Sequence, residues 1–226
     1  MKRIYILFVL LTIISACATS PINATVNIQP IEKTTPLSSV GDESGTSATK
    51  PKYSLPSPCG LPPIAVPTLP AVIPGYTELD KTTGLHMTGK VQKIDLATYK
   101  LKISGLVDHP SEFNFEELRC FPKITVTTKL VCPGYFEDDS TWSGVPIVYL
   151  LEKVGVQKTA TEAVLISADG YETHISLKDA LNEHNFLAYE WMTQPVPIMH
   201  GFPVRAVFPL MNGSTWAKWL VEINIR

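Results

Sequence analysis

The chain reads as an α/β (α+β) domain, a mixed β-sheet with short helices packed on it, preceded by a long segment of different composition. Three observations predict this. From residue 99 onward, short β-branched runs alternate with short helical stretches, the pattern of a mixed sheet covered by helices. Eleven of the 19 prolines fall before residue 76. The first sixteen residues have the charged-then-apolar form of a secretory leader.

That leader begins with Lys2-Arg3 and continues as an apolar run from Ile4 to Ala16. The run is too short to span a bilayer, which takes ~20 apolar residues. It ends Ile14-Ser15-Ala16-Cys17, which resembles the lipobox of bacterial lipoproteins. The resemblance implies residues 1–17 as a lipoprotein signal ending in its lipobox cysteine, with cleavage before Cys17 and a diacyl anchor on it. The expected location is extracytoplasmic and lipid-anchored to a membrane, on the periplasmic or cell-surface side.

Residues 18–75 read as a linker. Gly41 to Lys50 is rich in Gly, Ser and Thr, and Pro51 to Pro74 is dense in proline. Such composition gives a flexible part followed by a stiffer, polyproline-like part. Leu61, Ile64, Val66 and Val72 are apolar enough to let its end lie against the domain.

Residues 76–226 are one domain by length. It holds 14 Lys+Arg against 18 Asp+Glu, and a net-acidic domain without basic clusters excludes a nucleic-acid partner. Tyr99 to Ser104 alternates as a strand that Gly105 closes. Asn114 is placed to cap a helix over Phe115-Glu116-Glu117-Leu118, with acids in its first turn. Lys123 to Val131 is β-branched and strand-like. Pro146 starts a helix over Ile147 to Val154, which Gly155 stops. Ala163 to Ser167 is a short buried strand before the Asp169-Gly170 turn. Leu177 to Leu181 makes a helical turn, and Val204 to Phe208 and Trp219 to Ile225 are strands.

Chemistry concentrates at Cys132. It ends an apolar strand and is followed at once by Pro133-Gly134, so the turn holds its thiol at the rim of a sheet, where ligands bind. About seventy residues later come His200-Gly201-Phe202-Pro203-Val204-Arg205 and then Lys218-Trp219. A soft sulfur ligand with two late cations suits a metal-bearing, anionic cofactor. His86, His109, His174 and His184 show no ligand-like spacing and read as surface or capping residues. Cys120 and Cys132 are twelve residues apart, which neither supports nor excludes a disulfide between them; the state of Cys59 is likewise open.

The order of motifs carries more than any one of them. Leu101-Lys102-Ile103-Ser104-Gly105-Leu106-Val107 is followed by Cys132, by Trp142-Ser143-Gly144-Val145-Pro146 and by Ser167-Ala168-Asp169-Gly170-Tyr171. Then come Leu187-Ala188-Tyr189, His200 to Arg205, and Lys218-Trp219. This series resembles the molybdopterin-binding domain of the sulfite oxidase family, in its single-domain bacterial form, over residues 84–226. The resemblance implies a sulfite-oxidase-type fold and a molybdenum-molybdopterin cofactor, with Cys132 as the thiolate on the metal.

It further implies Cys132 and Arg205 as the catalytic pair. Ser167, His200, Arg205, Lys218 and the backbone at Trp216 and Ala217 would be the cofactor contacts. The late loop departs from the family, reading Met211-Asn212-Gly213-Ser214-Thr215 without the extra lysine usual there. The implied function is oxygen-atom transfer to or from a small sulfite- or sulfoxide-like substrate. No Cys-x-x-Cys-His haem motif is present, so a separate electron-transfer partner, such as a membrane haem protein, is expected. With no further domain expected beyond Arg226, the protein is expected to be a monomer. The alternative from a different class is a cofactor-free binding lipoprotein that keeps the fold without catalysis.

Overall fold

A computed structural model describes residues 57–226. The leader, Cys17 and the first part of the linker lie outside the described residues. Two short strands, β1 (Leu79–Asp80) and β2 (Leu85–His86), form an antiparallel hairpin. The remaining strands build two five-stranded sheets.

The first sheet contains β5 (Ile124–Cys132), β6 (Phe136–Pro146), β9 (Phe186–Trp191), β10 (Gln194–Pro195) and β11 (Arg205–Val207). β5 and β6 are a long hairpin whose register sets Cys132 opposite Phe136 and Val126 opposite Trp142. β6 pairs antiparallel with β9 through a bulge at Ser143/Gly144. A Cβ on Gly144 would sit 1.8 Å from the Leu187 carbonyl oxygen, so only glycine lets the two backbones approach this closely.

The second sheet runs β4 (Ser111–Phe113), β3 (Leu101–Gly105), β12 (Leu220–Ile225), β7 (Glu162–Ser167), β8 (Glu172–Ser176). β12 lies parallel to β3, and every other pairing in it is antiparallel. The mixed sheets expected from the sequence are therefore present.

Three short helices cover them. α1 (Phe115–Cys120) begins with a capping box: the Asn114 side chain accepts from the Glu117 amide at 2.9 Å, and the Glu117 carboxylate accepts from the Asn114 amide at 2.7 Å. α2 (Ile147–Val154) buries the stripe Ile147, Leu150, Leu151 and Val154 and stops at Gly155 in the left-handed conformation. Leu150 and Leu151 are wholly buried, and each contributes about 2 kcal/mol of apolar burial. α3 (Leu177–Ala180) is a single turn capped by Ser176.

The end of the segment read as linker is packed on the domain. A disulfide joins Cys59 to Cys120 at the end of α1. Arg119 donates to the Pro62 carbonyl at 3.1 Å, and Ile64 and Val66 pack against the core. Leu61 and Val72 stay exposed. Composition placed the boundary near residue 75 because proline-rich chain has no periodicity of its own; a covalent bond and a few apolar side chains carry it onto the surface. The Cys59 pairing settles the question left open at Cys120, which does not bond Cys132, and leaves Cys132 as the free cysteine among the described residues.

Candidate functional site

The turn after β5 behaves as its sequence requires. The Tyr135 amide donates to the Cys132 carbonyl at 3.0 Å, and Gly134 takes φ +81°. Cys132 is half-buried at the rim of a cavity of about 280 Å³. The cavity is lined from both sheets and from the β1–β2 hairpin, and Cys132, Ser167, His200, Arg205, Trp216 and Lys218 all face it. Residues scattered over 87 positions of sequence are thus brought to one place. Burial and the nearby Asp138 carboxylate push the free Cys132 thiol up.

Two cations form the inner wall. Arg205 is 3% exposed and Lys218 8%, and neither is in an ion pair among the described residues. The Arg205 guanidinium lies 4.6 Å over the Trp142 ring and 5.6 Å from that of Trp216, and it donates to the His200 carbonyl at 3.0 Å. Lys218 donates to the carbonyls of Thr88 and Met199 and sits 4.6 Å over Trp219. Burial pulls Arg205 down to about 9, partly opposed by Asp138, and burial with Arg205 nearby pulls Lys218 well below its ordinary value.

Gly201 explains how the two come together. It ends the 3-10 turn Ile198–His200 at φ +115°. A Cβ there would stand 2.9 Å from the Arg205 Cβ and 3.2 Å from the Lys218 Cβ. The glycine after His200 is the space through which both cationic side chains pass.

His200 is 1% exposed and donates through Nε2 to Asp80 at 3.1 Å. Burial, with Lys218 adding to it, lowers its pKa to about 4, so it is a neutral imidazole. Burial alone would raise the Asp80 carboxyl, but hydrogen bonds from Thr82 and Thr83 outweigh it and hold it at about 2.

Two expected contacts are placed differently. Ala217 is wholly buried and is not part of the cavity wall; its amide donates to the Thr215 carbonyl at 3.0 Å. The Trp216 amide donates to the Gly213 carbonyl at 3.1 Å, so Trp216 meets the cavity through its ring. The 3-10 turn Gly213–Thr215 consumes both backbone donors. Asp169-Gly170-Tyr171 is the turn the sequence indicated, and its Asp169 and Tyr171 also line the cavity.

Sequence reasoning missed His86 and Asp138. The buried Asp138 carboxylate accepts from the His86 amide at 2.8 Å and from its Nδ1 at 2.6 Å, and the imidazole stacks on Phe136 at 4.5 Å. Both line the cavity beside Cys132. A histidine in a two-residue strand 52 positions from its partner leaves no spacing signal.

The residues present fit an anionic cofactor that brings its own metal. Two buried cations with no ion-pair partner among the described residues are costly unless an anion meets them. The Arg205 Nε and the Ser167 Oγ are buried without partners, and unmet polar atoms at a cavity wall call for a ligand. No three His, Cys, Asp or Glu side chains converge as a metal cage among the described residues. A metal held by the Cys132 sulfur would take its other ligands from the cofactor itself.

Comparison with known proteins agrees with this arrangement. The family model for the oxidoreductase molybdopterin binding domain matches residues 88–226. An uncharacterized oxidoreductase, YuiH of Bacillus subtilis, is 36% identical over 58% of this chain and 66% of its own. A putative protein-methionine-sulfoxide reductase subunit, YedZ1 of Azospira oryzae, is 29% identical over 60% of this chain and 52% of its own. Mitochondrial sulfite oxidase of Macaca fascicularis is 30% identical over 60% of this chain and 30% of its own. The chain thus spans from about a fifth to about two thirds of the length of the curated relatives it matches. The solved sulfane dehydrogenase SoxCD of Paracoccus pantotrophus superposes with a TM-score of 0.57 at 26% identity, covering 60% of this chain and 40% of that one. The domain that holds Cys132, Arg205 and Lys218 around one cavity belongs to the oxidoreductase molybdopterin-binding family, whose cofactor is molybdenum-molybdopterin.

Proposed function

We propose that this chain is a membrane-tethered molybdopterin-dependent oxidoreductase that transfers an oxygen atom to or from a small substrate. The observation that carries the reading is the pair of buried cations Arg205 and Lys218, without ion-pair partners among the described residues, in the cavity whose rim holds the free thiol of Cys132. When bound, the cofactor supplies the two-electron chemistry.

The chain's own residues bind and orient. Cys132 offers a soft thiolate at the end of a rigid strand. Arg205 presents a planar donor fork, held against the rings of Trp142 and Trp216, that suits a phosphate better than a point charge would. Lys218 adds a second positive charge, and neutral His200 adds none. Indole rings of Trp142, Trp216 and Trp219 exclude water from that end. In this reading Cys17 carries the lipid anchor, and electrons pass through a separate carrier, a membrane haem protein.

The test is metal analysis of protein purified from its native host. One molybdenum per chain is expected, lost or greatly reduced in Cys132→Ala, with the fold kept because the thiol sits at a rim. Arg205→Lys is expected to retain less cofactor. Wild-type protein without molybdenum would refute the reading in favour of a cofactor-free binding lipoprotein.

A further inference from the structure

One side of the cavity is closed by a cover made of Tyr76, Leu85, His86, Thr88 and Gly89. The β1–β2 hairpin shapes this segment. The Thr77 amide donates to the Met87 carbonyl at 2.7 Å, and the Met87 amide donates to the Glu78 carbonyl at 2.9 Å. Other polar contacts of the segment end on the site itself: Asp80 on His200, His86 on Asp138, and the Thr88 carbonyl on Lys218. With the cover in place, Arg205 and Lys218 are nearly sealed from solvent. A bulky ligand reaches them by displacing the cover.

The chain leading to the cover holds weakly by itself. Among the described residues, positions 61–74 make one hydrogen bond to the rest of the domain, from Arg119 to the Pro62 carbonyl. Ile64 and Val66 pack on the main core, and Leu69 packs on a small cluster of Met87, Met199 and Trp219. Val72 and Ile73 are exposed. A cleft of about 180 Å³ lies between Pro62, Pro63 and Ile64 on one side and Phe115 and Tyr189 on the other. The buried Tyr189 hydroxyl has no partner. A loose fit and an unmet hydroxyl weaken this contact, so the Cys59–Cys120 bond is what pins the strap. Cys59 is exposed and within reach of thiol reagents.

We infer that the Cys59–Cys120 disulfide is a latch on the cover: the cofactor enters while both thiols are reduced and the strap is free to lift, and closing the bond afterwards traps it. The inference rests on the proposed function for the identity of the trapped group. Closing the latch joins the two sulfurs and releases two protons and two electrons. A disulfide-bearing oxidant takes them up and leaves as its dithiol. The closed bond ties the strap to the end of α1, and the openings of the cover that let a bound group escape become rarer.

The experiment has two arms, and the first needs no molybdenum. Amide hydrogen exchange is measured on the cofactor-free full chain, oxidised and after dithiothreitol. The reagent thiolate attacks the Cys59 sulfur and Cys120 leaves; the reagent's second thiol then releases Cys59 as the cyclic disulfide forms. The amides of Thr77, His86 and Met87 are expected to exchange at least about tenfold faster once the bond is open, with those of β5 and β6 unchanged. Equal exchange in the two forms overturns the latch.

The second arm follows molybdenum content against time in holoenzyme purified from the native host. Cys59→Ser with Cys120→Ser leaves neither thiol to pair elsewhere. This variant is expected to start with the wild-type metal content and to lose it about tenfold faster. Ile103→Ala, a wholly buried position of β3 outside the cavity lining, lowers stability by another route and is expected to lose metal at the wild-type rate. A double variant that keeps its molybdenum as wild type does, or that never acquires it, overturns the inference. So does an Ile103→Ala variant that loses metal as fast as the double variant, because loss would then follow stability alone. Wild type without molybdenum refutes the proposed function instead, and the exchange arm then decides the latch on its own.

Discussion

Replacing Arg205 by methionine is expected to stabilise the cofactor-free domain while removing its hold on the cofactor. Arg205 is 3% exposed and has no ion-pair partner among the described residues, and burial, opposed by Asp138, pulls it from 12.5 to about 9. Arginine remains protonated in proteins, so this displacement expresses the cost of confining the charge. At about 1.4 kcal/mol per pKa unit the cost is about 4–5 kcal/mol. Two losses oppose the gain on substitution. The hydrogen bond to the His200 carbonyl is worth about 1–2 kcal/mol. Stacking over Trp142 and Trp216 is worth about 1–2 kcal/mol. Methionine fills an irregular apolar space and asks for no partner. These ranges leave a net gain of about 0–3 kcal/mol, and the middle value of about 1.5 kcal/mol corresponds to a rise in Tm of roughly 3–6 °C for a domain of this size. Thermal and urea unfolding of cofactor-free wild type and variant would measure it, with molybdenum content read on loaded protein. A variant that unfolds at lower temperature would refute the reasoning, because it would show Arg205 holding the empty fold together.

Three further outcomes are expected. Neutral His200, held at about 4 by burial and Lys218, takes up a proton less readily folded than unfolded; stability should therefore fall as pH drops from about 6.5 to 4, by up to ~3 kcal/mol. Urea titrations at pH 7 and 4.5 should show this loss, and His200→Asn should flatten it; an unchanged slope would assign the loss to another group. Cys59→Ser opens a loop of 61 residues' separation and should cost up to ~4 kcal/mol, as should removal of everything before Gly75; unfolding of the oxidised wild type and the variant at the same temperature would contradict the packed strap. Gly201→Ala, forced at φ +115° toward Arg205 and Lys218, should cost about 1–3 kcal/mol and reduce molybdenum content, and full retention of the metal would show that the two cations need not sit where they do.

The parts legible in the sequence were those with local rules. Asn114, Pro146 and Gly155 marked helix ends because capping is local, and Cys132 was marked by the turn beside it. Arg205 and Lys218 were located through resemblance, since nothing in the spacing of two cations reveals that both are buried. β6 escaped notice because its inward positions include Asp138 and Ser140 as well as Trp142, so apolar alternation is broken where the site is built. β9 is wholly or largely buried on both faces, and a short apolar run of that kind carries no period. His86 and Asp138 meet only when the β1–β2 hairpin lies on β6, a contact that no local pattern encodes.

The bond between Cys59 and Cys120 also fixes where mechanical load enters the molecule. Tension applied from the N-terminal side reaches Cys59 first and crosses through sulfur to the end of α1. The intervening chain lies within a closed covalent loop and is bypassed. That loop contains Asp80, His86 and Thr88, the residues that the hairpin side contributes to the cavity and its supports. A pull from the N-terminal side can therefore tilt or drag the domain without drawing on the segment that roofs its site, so long as the disulfide is closed. Once reduced, the same pull would peel Pro62, Ile64 and Val66 from the surface and arrive next at that roof.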